Sequence, residues 1–217
     1  MGKSDNNMAV ALFGGTFNPI HNGHLRIATE LAELLRVDVI RMLPCAFPPH
    51  RSNPQVTAEQ RLAMLQAATA NQPRLIADDS ELRRDAPSYS IDTLQSVREQ
   101  IAPQQPLFFC IGMDALNKIN SWQRWQDLLQ YCHIVVSSRP CAVEPKVGPV
   151  ADWLVQYRSD DLESLQQKPA GNVYFCDLTM LDISSTTIRN KIARRDSINF
   201  LTPDAVVEYI QQHHLYE

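Results

Sequence analysis

Long apolar runs are missing from this chain: no stretch of its 217 residues approaches the length of a membrane span, so a spanning helix is not expected. Residues 1–8 are largely polar and lack the apolar centre of a secretory signal. Met1-Gly2 is not followed by Ser or Thr at position 6, so myristoylation is unsupported too, and the expectation is a soluble protein of the cytoplasm. An excess of positive charge is also missing. Lys and Arg total 20 against 24 Asp and Glu, a net charge of −4, whereas nucleic-acid binding by counterion release needs a basic surface. Neither a nucleic acid nor a membrane is expected as a partner. The five cysteines, Cys45, Cys110, Cys132, Cys141 and Cys176, are odd in number, scattered and without C-x-x-C spacing. That suits reduced thiols filling a core better than disulfides or metal ligands. No internal repeat or low-complexity tract appears, and nothing in the length demands more than one domain.

Glycine is scarce, with 7 in the chain, so where it stands is informative. Gly14, Gly15 and Gly23 fall within Phe13-Gly14-Gly15-Thr16-Phe17-Asn18-Pro19-Ile20-His21-Asn22-Gly23-His24, and Gly112 directly follows the apolar run Leu107 to Ile111. Close approach of a ligand to the main chain explains that clustering better than loop needs alone. Ala9 to Phe13 is a short continuous apolar run suited to a buried strand, and Leu25, Ala28, Leu31 and Leu35 have the spacing of an amphipathic helix. The Gly-rich turn therefore feeds a helix N-terminus, an anion site, with His21 and His24 three positions apart on one face. Taken singly, each feature has a plain structural alternative: a turn, a packed histidine or a solvated one. The stretch is neither the Walker loop nor the G-x-G-x-x-G fingerprint. Zinc on His-x-x-His is disfavoured, since no Glu follows His21 and no cysteine stands at ligand spacing, so no metal-ligand set is expected.

Gly14-Gly15-Thr16-Phe17-Asn18-Pro19-Ile20-His21-Asn22-Gly23-His24 resembles the G-G-T-F-D-P-x-H-x-G-H signature of the nucleotidyltransferase superfamily, in particular that of bacterial nicotinate mononucleotide adenylyltransferases. Late in the chain, Ile183-Ser184-Ser185-Thr186-Thr187-Ile188-Arg189 resembles the I-S-S-T-x-I-R segment of the same enzymes. Two motifs in the right order are more specific than either alone, and the similarity runs from about Val10 to the C-terminus. One departure stands out. Asn18 occupies the place of the family's usual Asp, keeping an acceptor and turn-forming ability while losing a charge.

The remaining pattern alternates. Val37 to Leu43 reads as a second strand stopped by Pro44. A Pro-rich loop from Cys45 to Pro54 carries His50 and Arg51, candidate phosphate contacts or simply a solvated pair. Thr57-Ala58-Glu59-Gln60 has the form of a capping box, opening a helix continued by Leu62, Leu65 and Ala68. Arg74 to Ala77 is a candidate short strand. Ser88-Tyr89-Ser90 precedes a helix through Ile91, Leu94, Val97 and Ile101, with Ser90 at its N-terminus as an ordinary cap or as part of an anion site. Asp114, just past the strand Leu107 to Ile111, is placed to accept from ribose hydroxyls, or is a helix-start Asp at the surface. Trp122 and Trp125 have helical spacing, which ordinarily means core. His133 to Ser137 gives another strand, with Arg139 beyond it as a phosphate candidate. Residues 141–171 read as irregular, with a helical patch around Trp153 and Tyr157. Asn172 to Cys176 is the last strand. The Ile183 motif opens a helix to about Arg195, and Thr202-Pro203 caps and starts a final helix. Ser184, Ser185, Thr186 and Thr187 exceed what one cap needs, and with Arg189 beside them suggest a second oxyanion cradle.

Strands alternating with helices argue for an α/β fold, Rossmann-like and doubly wound on a mainly parallel sheet. We expect one nucleotidyltransferase domain over residues 1–217, with a helical portion from about 183 to 217 packed on it. The resemblance implies adenylyl transfer in NAD biosynthesis: the 5′-phosphate of nicotinate mononucleotide attacks the α-phosphorus of ATP, giving nicotinate adenine dinucleotide and pyrophosphate. It implies ATP binding by Gly14, Gly15, Thr16, Phe17, Asn18, His21, His24, Gly112, Asp114, Ser184, Ser185, Thr186, Thr187 and Arg189, with His21, His24 and Arg189 catalytic. Ser88, Tyr89, Ser90 and Trp122 are implied at the pyridine nucleotide, with His50, Arg51 and Arg139 as its phosphate candidates. Mg²⁺ is expected chiefly through ATP oxygens and water. The alternatives are a phosphopantetheine adenylyltransferase or cytidylyltransferase, which share the first motif, and a non-catalytic nucleotide sensor.

Overall fold

The alternation read from the sequence is present in the computed structural model, which describes residues 8–45, 56–84, 89–138 and 143–217. In chain order the elements are β1 (Val10–Gly15), α1 (Asn22–Leu34), β2 (Ile40–Pro44), α2 (Ala58–Thr69), β3 (Leu75–Ala77), α3 (Ser90–Gln100) and β4 (Leu107–Gly112). There follow α4 (Met113–Leu116), two 3-10 turns at Ile119–Ser121 and Trp125–Gln130, β5 (His133–Ser138), α5 (Pro149–Tyr157), α6 (Leu162–Leu165), β6 (Val173–Asp177), α7 (Ser185–Ala193) and α8 (Asp204–Gln212). The strands form one parallel sheet in the order β3-β2-β1-β4-β5-β6. The chain winds outward from β1 to β3, returns beside β1 as β4, and winds outward the other way, which is the doubly wound arrangement expected.

By internal packing the chain divides into two compact units. The first comprises Met1–Phe13, Leu31–Ile40 and Tyr89–Leu178. In it β1 pairs with β4 from Val10 opposite Leu107 to Phe13 opposite Cys110, β4 with β5, and β5 with β6. Leu107 to Ile111 are all buried, as a parallel strand covered on both faces must be, which is why the run is continuously apolar. Arg98 of α3 ties this unit together through carbonyl oxygens. Its Nε and Nη2 donate to Tyr131 O (3.0 and 2.7 Å), Nη1 to Gln105 O (2.7 Å), and Nη2 also to Pro169 O (2.7 Å).

The second unit comprises Gly14–Glu30, Arg41–Ser88 and Thr179–Glu217. Here α2 packs on α8, burying Met64, Leu65 and Ala68 on one side and Val206, Val207 and Ile210 on the other. Thr57 caps α2 and Gln60 reaches back to the Thr57 N–H, the capping box read from the sequence. Arg41 and Asp78 make an ion pair at 2.6 Å; burial alone would raise the Asp78 pKa, and Ser80, whose N–H donates to Asp78 Oδ1 at 2.9 Å, together with the Arg41 guanidinium holds the carboxyl below its ordinary value.

Several boundaries differ from the sequence reading. α1 begins at Asn22, between the two histidines read at its start, because the His21 carbonyl already accepts from the His24 and Leu25 N–H groups. β2 begins at Ile40 and not Val37, since Arg36 turns left-handed (φ 51°) and the Val37 N–H bonds back to Ala32 O, closing α1. Pro203, not Thr202, stands at the start of α8; Thr202 Oγ1 donates instead to Ile20 O at 2.8 Å. Tyr89 occupies the N-cap of α3, with Ser90 as its first helical residue. The helical patch expected around Trp153 and Tyr157 is α5, started by Gly148 and Pro149. Trp122 and Trp125 share no helix: Trp122 lies between the two 3-10 turns. Cys110, Cys132 and Cys176 are buried and Cys45 is half-buried. Cys141 lies outside the described residues. Among those residues no helix is long and apolar enough to cross a membrane.

Candidate active site

The glycines of the first motif are explained by what surrounds them. A Cβ on Gly15 would stand 2.7 Å from Cε1 of Phe17, whose ring is buried and whose backbone is left-handed (φ 46°). A Cβ on Gly23 would stand 3.0 Å from His21 Nδ1. Removing both side chains lets Phe17 and His21 fold in against the start of α1. There the His21 and His24 rings stack with centroids 3.6 Å apart and planes 22° apart, and the Phe17 ring meets His24 edge-on at 5.1 Å. The His24 N–H also donates to His21 Nδ1 at 3.3 Å, which assigns the ring proton of a neutral His21 to Nε2.

Between Gly15 and His21 the loop's carbonyls are pinned one after another from elsewhere in the same unit. Arg61 Nη1 donates to Thr16 O (2.9 Å), Arg189 Nη1 to Asn18 O (2.7 Å), Ser185 Oγ to Pro19 O (2.9 Å) and Thr202 Oγ1 to Ile20 O (2.8 Å). Asn22 is held likewise, its N–H by Leu201 O and its Nδ2 by Phe200 O. Peptide carbonyls fixed in this way remove the loop's main freedom, so the histidines are presented on a rigid base.

The second motif joins this arrangement. Ser184 Oγ caps α7 by accepting from the Thr187 N–H (3.1 Å) and also bonds Thr187 Oγ1 (2.8 Å). Ser185 reaches Pro19, and Thr186 Oγ1 accepts from Arg189 Nη2 at 3.2 Å. Each of the four hydroxyls expected as an oxyanion cradle thus has a protein partner. The Ser185 and Thr186 N–H groups, first in the helix, have none among the described residues and carry the helix's positive end. Arg189 is half-exposed above them.

Arg61 and Tyr216, like Thr202, join this cluster from outside both motifs. Arg61 is 1 % exposed, and burial pulls its pKa down, partly countered by Cys45, Tyr216 and Glu59; a guanidinium stays charged all the same. Its signal in the sequence was phase: it stands three and four residues before Met64 and Leu65, a cation in the apolar stripe of α2, where the sequence reading had placed Leu62. Tyr216, after α8, donates from its hydroxyl to Asn18 Oδ1 at 2.7 Å, and nothing in its local sequence announces that contact.

The other expected site residues divide as follows. Tyr89, Ser90, Gly112, Asp114 and Trp122 belong to the first unit. Among the described residues no side chain caps α3, and the Ser90 and Ile91 N–H groups have no partner there, while the Asp92 N–H bonds Tyr89 O. A Cβ on Gly112 would meet nothing within 4 Å, so packing does not require glycine there. Asp114 is exposed in the first turn of α4. Trp122 is half-exposed with its edge toward Phe109 (6.3 Å), whereas Trp125 leans on the buried Trp153 (5.4 Å). His50, Arg51, Ser88 and Arg139 lie outside the described residues.

Comparison with known proteins adds to this geometry. The family model described as cytidylyltransferase-like matches residues 12–191. A protein of Pseudomonas aeruginosa strain UCBPP-PA14 named "Probable nicotinate-nucleotide adenylyltransferase" is 47 % identical over 207 residues, covering 95 % of this chain and 96 % of that one. A protein of the same name from Pseudomonas putida strain GB-1 is 46 % identical over 217 residues, 100 % and 98 % of the two chains. Among solved structures, the Plasmodium falciparum nicotinic acid mononucleotide adenylyltransferase complexed with NaAD superposes with a TM-score of 0.71 at 18 % identity, covering 96 % of this chain and 97 % of that one, a likeness of fold.

Proposed function

The chain belongs to the cytidylyltransferase-like family and, within it, to the nicotinate-nucleotide adenylyltransferases, and from that premise we propose how its residues transfer AMP from ATP to nicotinate mononucleotide. The observation that carries the proposal is the joining of the two motifs, Arg189 and Ser185 bonded to Asn18 and Pro19 beneath the stacked His21 and His24.

The nucleophile is a phosphate monoester with a second pKa of about 6, largely ionised at neutral pH, so no general base is needed. The task is to position two anions and to stabilise charge on the α-phosphate. Gly14 to Asn18 and the start of α1 receive ATP, with His21 and His24 donating to its phosphates. The open Ser185 and Thr186 N–H groups and the remaining donors of Arg189 take the departing pyrophosphate. Gly112 and Asp114 serve the nucleotide's sugar. Tyr89, Ser90 and Trp122 receive the pyridine ring, its carboxylate on the uncapped N–H groups of α3. Among the described residues no group of three His, Cys, Asp or Glu could hold a metal, and residue 18 is an amide. In this reading Mg²⁺ enters with ATP, held by its phosphate oxygens and water, as part of the substrate.

The test is pyrophosphate release with ATP or CTP against nicotinate mononucleotide, its amide analogue and phosphopantetheine. The expected result is ATP with the nicotinate nucleotide, preferred to the amide by roughly 10²-fold in kcat/KM, because an amide NH₂ would face N–H donors and leave one unpaired. Activity with phosphopantetheine or CTP alone reassigns the substrate, and release with none makes the chain a nucleotide sensor.

A further inference from the structure

Residue 18 is held from two directions. Its main-chain oxygen accepts from Arg189 and its side-chain Oδ1 from the Tyr216 hydroxyl, both at 2.7 Å. Arg189 in turn rests on Thr186 in the first turn of α7. A shift of Asn18 is thus passed to the guanidinium that faces the phosphates. Tyr216 is 6 % exposed, and among the described residues its hydroxyl has the bond to Asn18 alone. Phe would fill the same space, so the hydroxyl has a purpose that packing does not explain. Burial pushes its pKa well up, against the opposing pull of Arg189 and Arg61, so it remains a donor at any pH suited to assay.

The identity of residue 18 sharpens the argument. A carboxylate there would be drawn to Arg61 and Arg189 by charge. A neutral amide has no such pull and depends on a directed hydrogen bond for its orientation. We propose that Tyr216 is a positioning residue for adenylyl transfer, fixing Asn18 and through it Arg189 from outside both sequence motifs. This rests on the function proposed above.

Tyr216→Phe removes the hydroxyl and keeps the ring. It lowers kcat for pyrophosphate release roughly 10-fold while KM for ATP and nicotinate mononucleotide stays within about twofold, since the bond orients groups already in place. Asn18→Leu removes the acceptor and loses at least as much, and the double variant falls no further than Asn18→Leu alone. Asn18→Asp, which keeps an acceptor, loses several-fold less than Asn18→Leu. A Tyr216→Phe kcat within about twofold of the parent, or a double variant whose loss is the product of the single losses, overturns the role. If Tyr216→Phe does not fold, Asn18→Leu against Asn18→Asp carries the test, and equal losses overturn it. A parent enzyme that releases no pyrophosphate with nicotinate mononucleotide overturns the adenylyl-transfer reading first, an outcome distinct from active parent and unaffected variants.

Discussion

Arg98 and Arg189 both donate to backbone carbonyl oxygens, yet they do different work. Arg98 makes four hydrogen bonds to three carbonyls of the first unit, nearly exhausting the five donors of a guanidinium. Arg189 makes two, to Asn18 O and Thr186 Oγ1, and stays half-exposed with donors to spare. The histidines follow the same division. His133 in β5 is fully buried and uses both ring nitrogens on the backbone, at Lys168 O and the Asn172 N–H. His24, half-exposed, is placed by stacking on His21 and by the edge of Phe17. Polar groups saturated by the fold hold the fold; those fixed at one end remain able to meet a ligand.

The largest expected effect lies on the site side. His24→Ala lowers kcat by roughly 10²-fold or more with a smaller change in KM, because a donor to the α-phosphate matters most as charge redistributes. The melting temperature stays near that of the parent. A variant that loses stability and keeps kcat would place His24 with His133 and break the division. Next comes its counterpart. Arg98→Met removes four part-buried hydrogen bonds, leaving Pro169 O with only the Leu107 N–H and taking the guanidinium from Tyr131 O and Gln105 O, and costs roughly 2–3 kcal/mol of stability by denaturant unfolding. The molecules still folded keep the parent kcat, and a folded Arg98→Met with lost activity would break the comparison from the other side.

How far the sequence foretold this follows from what leaves a local trace. The strands, the doubly wound order and the capping box at Thr57 were legible because burial and capping impose patterns on neighbouring residues. Gly15 and Gly23 were legible as a motif, though the reason for each, the Phe17 ring and His21 Nδ1, needed coordinates. The pinning of the loop was not legible. Arg61, Thr202 and Tyr216 reach Thr16, Ile20 and Asn18 across 45, 182 and 198 positions, and a contact at such separation leaves no spacing to read. Ser184 to Thr187 were legible as a cluster of hydroxyls and N–H groups, but not how these are used: the four hydroxyls bond within the protein, while the Ser185 and Thr186 N–H groups have no partner among the described residues.

A smaller effect is expected at Trp122. Its ring is half-exposed and touches Phe109 only at an edge, so it belongs with the partly committed groups although it lies in the first unit. Trp122→Ala weakens nicotinate mononucleotide by about 1–3 kcal/mol, the worth of an aromatic stack on a flat ring, and leaves KM for ATP nearly unchanged. A loss of melting temperature with both KM values intact would return Trp122 to packing.

The smallest effect separates His133 from the site histidines by pH. Burial lowers the His133 pKa, opposed by its bond to Lys168 O and assisted by the nearby charges of Arg98 and Lys168. In the unfolded chain the same group titrates near its ordinary value of about 6.5. Above that pH His133 is neutral in both states and costs nothing. As pH falls below it, the unfolded chain takes up a proton that the folded one refuses, so stability declines, and the decline ends once the lower folded pKa is passed. One proton limits the slope to about 1.4 kcal/mol per pH unit. His133→Gln keeps a donor and an acceptor and removes the titration, so between pH 6.5 and pH 5, roughly, its unfolding free energy falls less steeply than the parent's. Since the two ring nitrogens of His133 serve only the backbone of the first unit, kcat at neutral pH is unaffected in the same variant. Parallel stability curves for parent and variant would mean that His133 takes up its proton in place, and the saturated side of the comparison would then hold a group that is not fixed.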